Sequence, residues 1–130
     1  MKDSNTKRFI FNENLDSHFL EDLFDGDAVY AQTVFEDFLR DLPDYWKDVD
    51  NAYTNGDQAA LRAAVHKCKT LFGYVGFTDI QQFCQEFENN CRGNTLSRPE
   101  KGYKELLQRK EEARRIIEED YNRLKSFNAL

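Results

Sequence analysis

The chain of 130 residues contains two histidines, and only His66 stands among residue types that could support chemistry. Lys69 follows it by three residues and Arg62 precedes it by four. Because successive residues of an α-helix advance by about 100°, both cations would share a helical face with the histidine. A neutral imidazole is a nucleophile at neutral pH, and cationic side chains can neutralise the oxygens of a phosphoryl group bound to it. The spacing fits a phosphorylatable histidine, but on its own it fits an ordinary exposed histidine in a solvated basic stretch at least as well.

Small side chains flank His66 on the same helical face, at Ala63, Thr70 and Gly73. A glycine inside a helix costs about 1 kcal/mol relative to alanine, so Gly73 calls for a reason. Beside an outward histidine, it would leave room for another surface to approach. We therefore expect these three residues to form a partner-docking face.

Other catalytic arrangements find little support. His18 lies in the string HFLED, which lacks the spacing of a zinc-protease helix, and is expected to be an ordinary surface histidine. The three cysteines, Cys68, Cys84 and Cys91, contain no CxxC pair and are expected to be small apolar core residues in a reducing compartment. Cys68 is two residues from His66, so the two side chains diverge and cannot form a dyad. We expect no metal site.

The spacing of apolar residues predicts an all-α protein. Helices are predicted at about 14–24, 27–53, 57–75, 78–92 and 99–127. Pro43 is expected to kink or divide the long second helix, and Gly93-Asn94 to separate the last two. Four long amphipathic helices joined by short turns favour an antiparallel four-helix bundle with a short additional N-terminal helix.

Two segments follow from this prediction. Residues 1–12 are an arm whose Phe9, Ile10 and Phe11 dock on the bundle, and residues 13–130 form the bundle domain. The C-terminal helix carries a dense charged face of Glu, Lys and Arg that is expected to be solvated.

Composition limits the partners. The formal net charge is −6, which argues against nucleic acid and anionic membranes as binding partners. Neither a signal peptide nor a stretch of about 20 apolar residues is present, so we expect a cytoplasmic protein. The chain is expected to be a monomer, although the sequence does not fix the oligomeric state.

The stretch at 64–77, AVHKCKTLFGYVGF, resembles the phosphohistidine motif of histidine-containing phosphotransfer (HPt) domains, roughly A-H-x-L-K-G-S-A-x-x-L-G. His66 matches the phosphorylated histidine and Lys69 the lysine three residues later. Cys68 takes the apolar position between them, and Gly76 matches the closing glycine.

Two further segments carry the resemblance. The string FCQEFE at 83–88 is similar to the family's L-C-x-x-L-E, and the residues after Gly26-Asp27 are similar to its second helix. The resemblance covers about residues 14–125. Thr70 departs from the pattern because the family has a glycine there to let the partner approach, and this affects docking rate or partner choice.

The resemblance implies that His66 relays a phosphoryl group between the aspartates of receiver domains in a two-component phosphorelay. Lys69 would contact the phosphate, and Glu88 would either orient the imidazole or join a surface network. The implied partners are response-regulator receiver domains and a hybrid sensor histidine kinase. The receiver would supply Mg²⁺ and most of the catalysis, so the chain itself would be a phosphocarrier without a cofactor and not an enzyme.

One alternative stays open at this point. A non-phosphorylated helical adaptor or inhibitor could dock on a kinase or receiver through the same His66 face. Intact His66 and Lys69 argue against that alternative, and Thr70 argues mildly for it.

Overall fold

Helices form all the regular secondary structure of the computed structural model, which describes residues 8–92 and 99–130. The five helices are α1 (Ser17–Phe24), α2 (Ala28–Thr54), α3 (Gln58–Tyr74), α4 (Thr78–Arg92) and α5 (Glu100–Ala129). The prediction of an all-α bundle with a short first helix is therefore confirmed. The predicted break at Gly93-Asn94 and the first seven residues of the predicted arm lie outside the described residues. No helix in the described ranges is both long and apolar enough to cross a membrane.

Aspartates begin the first three helices. The carboxylates of Asp16, Asp27 and Asp57 each accept a hydrogen bond, of 2.9 to 3.1 Å, from the backbone N–H three residues later. Each of these N-caps satisfies a donor that the helix leaves unpaired, and replacing one by alanine typically costs about 1 kcal/mol. Because Asp16 is a cap, α1 begins at Ser17 and not near residue 14 as predicted.

Neighbouring helices run antiparallel. At one end of the α2–α5 pair, Asn128 donates to the carbonyl of Ala28 at 3.0 Å and to Gln32 Oε1 at 2.7 Å. At the other end, the Tyr103 hydroxyl donates to Asp50. The start of α2 thus meets the end of α5, which is the arrangement expected for an antiparallel bundle.

The core combines aliphatic side chains with large aromatic rings and three thiols. Phe35, Phe38 and Phe72 are completely or almost completely buried, and the rings of Phe38 and Phe72 join α2 to α3 at 5.8 Å between centroids. Cys68, Cys84 and Cys91 are also buried, as expected. Burial raises the pKa of Cys68 and of Cys84 to about 12, so the thiolate forms are disfavoured in the folded protein.

Helix α2 is continuous through Pro43, so this residue does not divide the helix, and the alternative that it kinks the helix stays a prediction. Pro43 itself is exposed, while Leu42 and Trp46 beside it are buried. Proline removes one backbone hydrogen bond, but the packing of the flanking side chains on the bundle keeps the helix intact.

Helix α1 buries a narrower face than its apolar residues suggest. Leu20 and Phe24 are buried, whereas Phe19 and Leu23 are each 41% exposed. A helix of eight residues presents only one stripe to α2 and to the turn between α3 and α4. Asp16 secures α1 to that turn, because its N–H donates to the Gly76 carbonyl at 2.8 Å.

The described part of the arm docks on the bundle through alternate side chains. The Phe9 ring packs on Phe127 at 5.6 Å, and Phe11 is buried, but Ile10 is 74% exposed, so its predicted docking is wrong. In an extended segment, successive side chains point to opposite sides, which leaves Ile10 outward. The Ile10 carbonyl is nevertheless held, since Arg123 donates to it at 2.7 Å.

Candidate functional site on helices α3 and α4

His66 lies on the outer side of α3, opposite the buried stripe of that helix. Leu61, Val65, Cys68 and Phe72 face the core and are each no more than 1% exposed. The side chain of His66 is 59% exposed. The amphipathic pattern of α3 therefore holds the backbone rigidly and presents the imidazole to solvent.

Glu88 reaches the imidazole from α4. Its Oε1 lies 3.0 Å from His66 Nδ1, and the Glu88 side chain is only 5% exposed. A carboxylate can only accept a hydrogen bond, so Nδ1 must carry the proton and donate it. This assignment fixes the neutral tautomer and leaves the lone pair on Nε2, which has no hydrogen-bond partner within the described part of the chain.

Lys69 completes a bridged arrangement of three side chains. Its Nζ lies 3.0 Å from Glu88 Oε2, and the Lys69 side chain is only 16% exposed. The Oε2 atom has no well-directed hydrogen bond, so this contact is an ion pair held by proximity. A buried carboxylate is stable when an opposite charge and a hydrogen-bond donor compensate for its lost hydration, and here Lys69 and His66 do so.

Gln85 is a fourth member of the cluster that the sequence prediction missed. Its Oε1 accepts a hydrogen bond of 2.6 Å from Lys69 Nζ, and its Nε2 donates to Asn89 Oδ1 at 3.1 Å. Gln85 precedes Glu88 by three residues and so shares its face of α4. Because α3 and α4 run antiparallel, a contact between His66 and Glu88 places Lys69, three residues later in α3, opposite Gln85, three residues earlier in α4. This equal spacing is the sequence signal from which Gln85 could have been predicted.

The small residues of the predicted docking face have different surroundings. Ala63 and Thr70 are exposed, and Gly73 is half-buried. A Cβ atom on Gly73 would lie 2.5 Å from Gln81 Nε2 of α4. The missing side chain of Gly73 thus makes room within the domain for Gln81, and its contribution to partner docking stays a prediction.

Arg62 is not brought into contact with His66. Its side chain is half-buried and forms no hydrogen bond or ion pair in the described ranges. Burial raises the pKa of Cys91 on α4, and the positive charge of Arg62 partly opposes that rise, so Arg62 lies towards Cys91. The structure joins His66, Lys69 and Glu88 directly and leaves Arg62 about one helical turn away.

His18 has a contrasting environment. Its side chain is 88% exposed and its Nε2 lies 3.7 Å from the exposed carboxylate of Asp22 on the same helix. In the described residues, no three side chains of the His, Cys, Asp or Glu type are grouped so that they could hold a metal ion.

Comparison with known proteins identifies the family. The model of the Hpt domain family matches residues 33–126, which is more than half of the chain. A solved HPt domain of a sensor hybrid histidine kinase from Shewanella has a similar fold, with a TM-score of 0.72 and 21% sequence identity over 85% of this chain and 95% of that one. No curated protein gives a significant match. The helical bundle, the His66 motif at its surface and the family match together show that the chain belongs to the Hpt domain family.

Proposed function

We propose that this protein is a phosphohistidine carrier of a two-component phosphorelay, with His66 as the phosphorylated residue. The observation that carries the proposal is the exposed imidazole whose Nδ1 is held by the buried Glu88. This arrangement leaves Nε2 as the atom available to an incoming partner. Family membership supports a phosphotransfer role in general.

In the proposed reaction, the Nε2 lone pair attacks the phosphorus of an aspartyl phosphate on a receiver domain. The Nε2–P bond forms, the bond from phosphorus to the aspartate oxygen breaks, and the aspartate leaves as a carboxylate. The proton on Nδ1 stays in place, so the ring gains positive charge as the bond forms. The carboxylate of Glu88, 3.0 Å from Nδ1, stabilises that charge. The reverse reaction delivers the group to the aspartate of a second receiver.

Lys69 has the electrostatic role in this proposal. Its partly buried ammonium lies 3.0 Å from the Glu88 carboxylate that also holds the imidazole, and from there it can neutralise an oxygen of the transferred group. Arg62 supplies a second positive charge at longer range. The receiver brings the aspartate and Mg²⁺, so the chain needs no cofactor and acts as a carrier and not as an independent enzyme.

The proposed partners are receiver domains and a hybrid sensor histidine kinase, met in the cytoplasm by a monomeric carrier. Ala63 and Thr70 are exposed beside His66, so the face offered to a receiver carries small side chains next to the imidazole. Thr70 adds a hydroxyl and a methyl group where the HPt pattern has glycine. We expect this bulk to narrow the choice of receivers.

The test is incubation of the chain with phosphorylated receiver domains and Mg²⁺, followed by assay of the phosphate that it acquires. A phosphoryl group on nitrogen is expected to be labile in acid and stable in base. Label of that kind supports the carrier. If the folded chain binds receivers but acquires no phosphate from several of them, it is an adaptor or inhibitor and the proposal is wrong.

A further inference from the structure

The ammonium group of Lys69 is held between two acceptors of α4. Gln85 Oε1 lies 2.6 Å from Nζ and Glu88 Oε2 lies 3.0 Å from it. A lysine side chain has four rotatable bonds and usually stays mobile, so fixation at a protein surface needs a cause. We propose that Gln85 is a positioning residue that holds Lys69 beside His66 for phosphoryl transfer. This inference rests on the proposed function and adds a residue to its machinery.

Glu88 cannot hold Lys69 in one place by itself. Its Oε1 is engaged with His66 Nδ1, and its Oε2 makes no well-directed hydrogen bond to the ammonium. Gln85 supplies the one directed hydrogen bond that Lys69 donates in residues 8–92 and 99–130. Glu88 therefore balances the charge of the Lys69 ammonium, whereas Gln85 fixes the position of that ammonium through a hydrogen bond.

An amide suits this position better than a second carboxylate. The neutral oxygen of Gln85 holds the ammonium without cancelling its charge, which Glu88 already balances. Another carboxylate would place a further negative charge where the phosphoryl group arrives. Asn89 fixes the orientation of the amide, because it accepts a hydrogen bond from Gln85 Nε2 at 3.1 Å and so turns Oε1 towards Lys69.

Preorganisation of Lys69 should act on the transition state. A donor that is already aimed at the developing charge needs no reorganisation during the reaction. Loss of such an interaction lowers the maximal rate of transfer, whereas loss of a docking contact raises the receiver concentration that half-saturates the reaction.

The experiment measures the rate of phosphoryl transfer from a phosphorylated receiver at increasing receiver concentrations, for the wild type, Gln85→Met and Gln82→Met. Methionine keeps the length of glutamine and removes the acceptor. Gln82 is the matched control, since it is exposed on the same helix and, within the described residues, its side chain bonds only Glu86, at 3.3 Å. We expect Gln85→Met to lower the maximal rate roughly fivefold to tenfold with little change in half-saturation, which is the size of effect expected for one typical hydrogen bond. Gln82→Met should match the wild type.

A second background tests whether Gln85 acts through Lys69. In Lys69→Met, the further change Gln85→Met should have no additional effect on the rate. Equal rates for Gln85→Met and the wild type, or the same loss in both backgrounds, would overturn the inference. If Gln85→Met merely destabilised the protein, it would lower the transfer rate in the Lys69→Met background as well as in the wild type. The comparison therefore distinguishes general destabilisation from loss of the contact with Lys69.

NMR of the Lys69 ammonium separates this inference from the proposed function. Its ¹H–¹⁵N signal should report an ordered group in the wild type and in Gln82→Met, and a mobile one in Gln85→Met. Retained order in Gln85→Met overturns the positioning role whether or not phosphate is transferred. A wild type that takes no phosphate overturns the proposed function, and with it the kinetic role of Gln85.

Discussion

At the scale of single residues, the two histidines of the chain differ in the carboxylate that accompanies them. His66 is hydrogen-bonded to Glu88, which is 5% exposed, whereas His18 lies near Asp22, which is 76% exposed. A buried carboxylate has few conformations and fixes the imidazole that it binds, but a solvated one does not. The imidazole of His66 is consequently presented in one orientation.

The charge of Lys69 gives a prediction at this scale. Lys69→Ala removes the cation that neutralises the phosphoryl group, so transfer should slow by about tenfold, the effect of losing roughly 1.4 kcal/mol of transition-state stabilisation. Lys67→Ala is the matched control, because Lys67 is an exposed lysine of the same helix. The rates are measured in both directions with one receiver. Equal rates for the two variants would refute the electrostatic role of Lys69.

Three of the four clustered residues were predicted before the structure, and the fourth, Gln85, was missed. Lys69 follows His66 by three residues on one helix, so the proximity of the two side chains follows from helical geometry alone. Glu88 was reached through the resemblance to HPt domains. The contact of Gln85 with Lys69 depends on the register between α3 and α4, which the pattern within either helix does not specify.

At the scale of helices, local sequence signals decided most boundaries and packing decided the exceptions. Asp57 and Gly76 bound α3 as predicted, because a capping carboxylate and a glycine act within a few residues. Pro43 acts locally too, but the buried residues on both sides of it outweigh its effect. Which residues of α1 are buried depends on where it lies on the bundle, and the apolar pattern alone could not predict that.

The turn between α3 and α4 provides a prediction about stability. Gly76 has a φ of +90°, and a Cβ there would lie 2.9 Å from Leu20 Cδ1 and 3.3 Å from the backbone nitrogen of Asp16. Gly76→Ala should therefore lower the free energy of unfolding by about 2–3 kcal/mol, through backbone strain and displacement of α1. Urea denaturation measures this change.

Gly56→Ala is the control for that turn. Gly56 also has a positive φ, of +68°, but nothing lies within 4 Å of the position of its Cβ. Gly56→Ala should lower the free energy of unfolding only by the cost of a positive φ for alanine, about 1 kcal/mol. Equal losses in the two variants would show that contact with α1 adds nothing at Gly76.

At the scale of the whole molecule, the bundle is held closed by side chains far apart in sequence. Asp120 of α5 is 1% exposed, and it accepts hydrogen bonds from the backbone of Asn12 at 2.7 Å and from Arg123 at 2.5 Å. The amphipathic helices predicted the bundle, because only a bundle buries all their apolar faces. A buried aspartate that ties the arm to the last helix is a tertiary contact, which no periodicity in the sequence indicates.

The buried thiols predict how global stability depends on pH. Burial raises the pKa of Cys68 and Cys84 from 9.0 in the unfolded chain to about 12 in the folded protein. Above pH 9 the unfolded state therefore loses protons that the folded state keeps, so stability is complete below pH 9 and falls as the pH rises towards 12. Each thiol contributes roughly 1.4 kcal/mol per pH unit in that window, or about 3 kcal/mol for the two between pH 8 and pH 10.

Urea denaturation at pH 8, 9 and 10 under reducing conditions checks this dependence. Cys68→Ala should be less stable than the wild type at pH 8, because a small cavity forms, but its stability should fall less steeply with pH because one thiol with a raised pKa is gone. The same steepness in the variant and the wild type would show that the Cys68 thiol does not titrate as its burial implies.

The measurement that tests the proposed carrier most directly is phosphate mapping on three proteins after incubation with one phosphorylated receiver and Mg²⁺. The wild type and His18→Gln should acquire acid-labile phosphate at position 66, whereas His66→Gln should stay folded and acquire none. His18→Gln controls for the loss of a histidine, since these two are the only histidines of the chain. Persistent labelling of His66→Gln, or phosphate found elsewhere in the wild type, would contradict the assignment of His66 as the phosphorylated residue.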